Sequence, residues 1–134
     1  MIVIDSSAIV AMLLNEPEAS AIRNVIDAED DKRISVATVL ECAIVLHGKV
    51  AMPSDQLEAW LDGFLGDMRV TIEPVALEHL GTARKAYVAF GKGMGHPAQL
   101  NFGDCFSYAL ARSLDAPLLY KGGDFGHTDI KSAL

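Results

Sequence analysis

Short apolar runs alternate with longer helical patterns along the whole chain, and this alternation constrains the fold more than any other feature. Ile2-Val3-Ile4, Arg33-Ile34-Ser35-Val36, Val70-Thr71-Ile72-Glu73 and Pro117-Leu118-Leu119-Tyr120 have the length and character of buried strands. Between them, residues 6–14, 17–29, 37–49, 75–90 and 103–114 read as helices, with one more opened by Pro53. Pro17 and Pro53 suit a first helical turn, where the missing N–H has no partner to lose. Leu57, Trp60, Leu61, Phe64 and Leu65 form an i, i+3, i+4, i+7, i+8 stripe that reads as core. The segment around Thr128-Asp129-Ile130 is expected to add a short edge strand. Strands separated by helices require crossovers and hence a mainly parallel sheet covered on both faces. The expectation is a three-layer α/β/α domain with four to five strands. With 134 residues, 51% of them hydrophobic, and no linker, repeat or low-complexity stretch, the chain reads as one domain over residues 1–134.

Against this apolar background stand four isolated acids. Asp5 closes Met1-Ile2-Val3-Ile4, Glu41 interrupts Val39-Leu40 and Cys42-Ala43, Asp104 follows Asn101-Phe102-Gly103, and Asp124 follows Lys121-Gly122-Gly123. A carboxylate inside hydrophobic sequence must be neutralised, hydrogen-bonded or paired with a cation. In a parallel α/β sheet the strand C-termini and following helix N-termini share one rim, where ligands bind, and all four acids can reach it. Together there, their mutual repulsion favours a divalent metal. Each acid also has a purely structural reading. Asp5 can N-cap the helix from Ser6, and Thr38-Val39-Leu40-Glu41 matches a capping box. Asn101 with Asp104 is an N-cap and a first-turn acid, and Asp124 suits a turn. Between Val36 and Leu46 only Thr38 and Glu41 are polar, so that helix is expected to be buried nearly all round, with few places for Glu41 to go.

Eighteen acids against eleven bases give a formal net charge of −7, which argues against a broad phosphate-tracking surface. A metal-dependent nuclease stays compatible, because the cation supplies local positive charge. The apolar start lacks a basic n-region and carries Asp5, unlike a signal peptide. No apolar run approaches 18 residues, so no membrane span and a cytoplasmic location are expected. Cys42 and Cys105 lack metal-ligand spacing and read as buried thiols, and His47, His79, His96 and His127 read as surface or loop residues. The stretch Gly91-Lys92-Gly93-Met94-Gly95-His96 fails a dinucleotide-binding pattern and reads as a mobile loop at the site mouth, with Lys92 and His96 as candidate substrate contacts. A receiver-type phosphoacceptor needs an acidic pair by its first strand, and a haloacid-dehalogenase-type phosphatase needs D-x-D. Here Asp5-Ser6-Ser7 offers neither.

The segments Met1-Ile2-Val3-Ile4-Asp5-Ser6-Ser7-Ala8, Leu100-Asn101-Phe102-Gly103-Asp104-Cys105 and Lys121-Gly122-Gly123-Asp124-Phe125, with Glu41 between them, resemble the PIN-domain ribonucleases over the whole length. Specifically, they resemble the VapC toxins of bacterial VapBC toxin–antitoxin pairs. The resemblance implies a PIN-like α/β/α fold and carries the family's acidic quartet onto Asp5, Glu41, Asp104 and Asp124. It implies hydrolysis of RNA phosphodiester bonds with Mg²⁺, for which Mn²⁺ can substitute. Asp5 and Asp104 are the first choice as direct ligands, with Glu41 and Asp124 completing the site. Ser6 and Asn101, beside two of the acids, are candidates for orienting water or phosphate, or simple helix caps. A cognate VapB antitoxin and a homodimer are implied as partners. Where the family often places a polar residue before the fourth acid, this chain has Gly122 and Gly123, so support for Asp124 is expected to be weakest. The alternatives are a catalytically inactive PIN-like binding module or another Mg-dependent α/β phosphohydrolase.

Overall fold

The computed structural model describes residues 1–134. Its elements run β1 (Ile2–Ile4), α1 (Ser6–Leu13), α2 (Ala19–Ala28), β2 (Lys32–Ser35), α3 (Val36–Lys49), α4 (Ser54–Asp67), β3 (Thr71–Glu73), α5 (Leu77–Phe90), α6 (Phe102–Ser113) and β4 (Leu118–Leu119), then a 3₁₀ turn at Phe125–His127. All strand pairings are parallel, in the order β3-β2-β1-β4. Val3 lies opposite Arg33 on one side and Leu118 on the other. The chain therefore adds β2 and β3 toward one edge and returns to place β4 on the opposite side of β1. Strand order reverses between β1 and β4, and such a reversal opens a crevice at the strand C-termini.

The pleat of β1 divides the core. Ile2 and Ile4 join Ile34 and Leu119 and the buried faces of α1 to α4. Val3 points the other way, into a second cluster with Leu118, Leu100, Tyr108 and Leu110 from the α5–α6 side. Alternate residues of a strand face opposite sides of the sheet, so three consecutive apolar residues are what a strand covered on both faces needs. The result is the expected α/β/α layering. Leu57, Leu61 and Leu65 are buried, with Trp60 and Phe64 packed against the same cluster, so the α4 stripe is core. No helix is long and apolar enough to cross a membrane.

Three expectations are corrected. The sheet has four strands, and residues 128–130 form none. Only an isolated parallel bridge, Leu118 to Ser132, continues the sheet beyond β4, because Thr128 is held in a turn by its hydroxyl donating to the Phe125 carbonyl. Secondly, α3 is not buried all round: Val36, Leu40 and Ile44 are 49%, 62% and 62% exposed. They stand at i, i+4 and i+8 on the face that the neighbours α1, α4, α6 and β2 leave uncovered. Thirdly, His79 is buried. Its Nδ1 accepts the Ala76 N–H (3.1 Å) at the start of α5, and Nε2 lies 3.2 Å from the Ser113 hydroxyl, so it joins α5 to α6.

Candidate metal centre

Asp5 follows the last residue of β1 and N-caps α1, its Oδ2 accepting from the Ser7 N–H (3.0 Å) and the Ser7 hydroxyl (2.6 Å). Its Oδ1 accepts from the buried Ser107 hydroxyl of α6 (2.6 Å), which lies 3.1 Å from the Thr38 hydroxyl of α3. The cap reading of Asp5 is thus correct and incomplete. An ionised carboxylate offers about four acceptor positions, and these three hydrogen bonds leave one lone-pair position open on Oδ1. Asp5 is 1% exposed, and hydroxyl and amide donors surround its carboxyl group.

Asp104 is the third residue of α6 and forms a reciprocal box with its cap: the Asn101 side chain accepts the Asp104 N–H, and Asp104 Oδ2 accepts the Asn101 N–H, both at 2.9 Å. Glu41 takes no part in a capping box, because α3 is capped by Ser35. Instead its Oε1 accepts a hydrogen bond from the Ser6 hydroxyl. Ligand oxygens of Asp5, Glu41 and Asp104 all lie within 4.8 Å of one another. Gly103 makes that approach possible: a Cβ there would land on the Glu41 carboxylate. The role of this glycine, and of Ser7 and Ser107 as the support for Asp5, follows only from the three-dimensional packing.

Asp124 is the outlying member. It is exposed, precedes the 3₁₀ turn and makes no side-chain cap bond, as expected behind two glycines. Gly122 at φ +96° turns the chain after β4, and Asp124 lines the same cleft of about 320 Å³ as the other three acids. Lys49 and Lys121 line it too, whereas Lys92 lies in a separate groove and His96 is tied down in its loop, accepting the Ala98 N–H and meeting the edge of Phe90. That loop is pinned at its base by the Gly91–Leu100 bridge.

Electrostatics show that the acids feel one another. Burial pushes the Asp104 carboxyl up to about 7, against the stabilising Asn101 N–H, and the charges of Asp5, Glu41 and Asp124 add to the rise. Glu41 is also raised, by burial first and by Asp5, with Ser6 opposing. Carboxylates crowded in this way favour either a proton or a cation. The donor set is all hard oxygen, which suits a hard divalent cation. Burial holds the neighbouring Cys42 thiol far above its ordinary range and pushes Cys105 up to about 11, so neither supplies a thiolate. The arrangement fits a divalent cation.

A family profile described as PIN domain matches residues 2–131. Ribonuclease VapC28 of Mycobacterium tuberculosis is 44% identical over 132 residues, covering 98% of this chain and 97% of that protein. Among solved structures, Mycobacterium tuberculosis VapC20, described as a sarcin–ricin loop cleaving toxin, superposes with a TM-score of 0.76 at 15% identity, covering 97% of this chain and 96% of that one. A toxin–antitoxin complex from Klebsiella pneumoniae gives 0.71 at 13% identity, with 96% and 93% covered. At such identities the two structures speak for the fold alone.

Proposed function

The chain belongs to the PIN-domain family, alongside the VapC ribonucleases, and from that premise we propose that it is a metal-dependent ribonuclease of the VapC type. The observation that carries this is the convergence of Asp5, Glu41 and Asp104 within 4.8 Å at the strand-order reversal. Asp5 and Asp104 are the direct ligands of Mg²⁺ or Mn²⁺ in this reading, with Glu41 and Asp124 completing the shell directly or through water. When bound, a divalent cation would supply Lewis acidity toward the attacking water and the scissile phosphate. The protein supplies the rest. Ser7 and Ser107 fix the plane of the Asp5 carboxylate, and Ser6 holds Glu41 against α6. The Asn101 Oδ1 is spent on its cap, so its exposed amide is the group free to donate to a phosphate oxygen.

A VapB-type antitoxin is the proposed inhibitor. An apolar groove of about 750 Å³ between α5 and α6, lined by Leu80, Val88, Phe102 and Phe106, shares Asn101 with the acidic cleft. A peptide seated in that groove leads directly to the acids. The uncovered stripe of Val36, Leu40 and Ile44 supports the second partner, another copy of this chain.

The test is to incubate the purified, antitoxin-free protein with total RNA and map the cut ends. Cleavage that needs Mg²⁺ or Mn²⁺ and stops with chelator is expected. Undiminished cutting in excess EDTA removes the metal mechanism, and no cutting under any condition favours a binding module.

A further inference from the structure

Resting on that ribonuclease reading, we propose that Lys49 is the residue that grips a phosphate flanking the scissile one, so that RNA leaves the cleft over the C-terminal end of α3. The cleft is lined by five carboxylates (Asp5, Glu16, Glu41, Asp104, Asp124) and two ammonium groups (Lys49 and Lys121), a lining that repels a polyanion except where positive charge is free. The two lysines are not equivalent. Lys121 forms an ion pair with Glu16 and a second with Glu18 at 3.4 Å, so its charge is spent on the α1–α2 connection. Lys49 is exposed, faces the same cleft and makes no ion pair.

Its position also suits the role. Glu41, Val45 and Lys49 follow one another at i, i+4 and i+8 on α3, and all three line the cleft. Eight residues of helix place the Lys49 backbone roughly 12 Å from that of Glu41. The side chain then serves a neighbouring phosphate and stays clear of the cation. Its other role, complementing the negative end of α3 as the last helical residue, predicts effects on stability and none on RNA.

The experiment measures fluorescence anisotropy of a labelled single-stranded RNA of mixed sequence, bound to the full chain in Ca²⁺ across a KCl titration. Mn²⁺ binding by calorimetry and Tm are measured in parallel. Lys49→Gln is expected to weaken RNA binding several-fold and to reduce the slope of log affinity against log salt by about 0.7, the loss of one phosphate contact on a single strand. Mn²⁺ affinity is unchanged, and Lys49→Arg restores both affinity and slope. Lys121→Gln leaves the slope as it was, since its charge is already neutralised. If Lys49→Gln binds RNA with the parental affinity and slope, or if Lys121→Gln takes the loss instead, the assignment is wrong while the ribonuclease reading stands. If the unsubstituted protein neither binds nor cuts RNA, both fall together.

Discussion

Gly103 shows how a single missing side chain shapes the site. It occupies the second position of α6, where any larger residue would meet the Glu41 carboxylate. The obstructing atoms are the far end of a flexible side chain, so Glu41 can swing away at little cost, and replacing a helical glycine by alanine gains up to about 1 kcal/mol of helix propensity. Gly103→Ala is therefore expected to keep or raise Tm while lowering cleavage by about 10- to 100-fold, the range for losing the support of a metal site. Thermal unfolding and a rate assay at saturating Mn²⁺ check this; parental activity would mean that Glu41 is not needed where it stands.

At the scale of elements, the buried hydroxyls of Thr38 and Ser107 tie α3 to α6 and both to the end of β1. Every buried side-chain polar atom has a partner here, so removing the middle hydroxyl leaves Asp5 short of a donor and Thr38 alone. Ser107→Ala is expected to cost about 1–3 kcal/mol in urea unfolding and to weaken Mn²⁺ binding measured by calorimetry. Thr38→Val should cost less and largely spare the metal, since Ser107 still reaches Asp5. Equal effects of the two substitutions on Mn²⁺ affinity would show that the link is only packing.

For the whole molecule, the crowded acids make stability depend on pH in a direction opposite to that of ordinary salt-bridged carboxylates. Asp104 holds its proton up to about 7 in the fold, whereas the unfolded chain releases it near 3.8. Unfolding between these values releases a proton, so the metal-free fold loses stability as pH rises through that window and levels off above it. Glu41, raised in the same sense, adds to the trend. The Tm of metal-free protein is expected to fall between about pH 4 and about pH 7 and to level off above. Asp104→Asn should flatten the curve, raise Tm at the upper end and abolish Mn²⁺ binding. Added Mn²⁺ should raise Tm of the parent most at high pH, where the ligands are already deprotonated. A Tm that rises with pH in the metal-free parent would contradict the crowding.

The alternation of apolar runs and helical patterns was enough to derive a parallel α/β/α fold, because periodicity records which faces are buried. Asp5 and Asp104 were legible for a similar reason: each sits at a strand end or helix start, where local chemistry leaves few roles for an acid. Glu41 was legible as an anomaly, yet its capping-box explanation failed, since its partner Ser6 lies 35 residues away. Distance along the chain hides such partners. The same limit applies to Ser107, which reaches Asp5 across 102 residues, and to Gly103, whose role exists only against another helix. The stripe of Val36, Leu40 and Ile44 looked like core because an apolar residue reads alike whether a neighbour covers it or water does. Only the tertiary arrangement decides which apolar faces the molecule covers with its own helices and which it leaves uncovered.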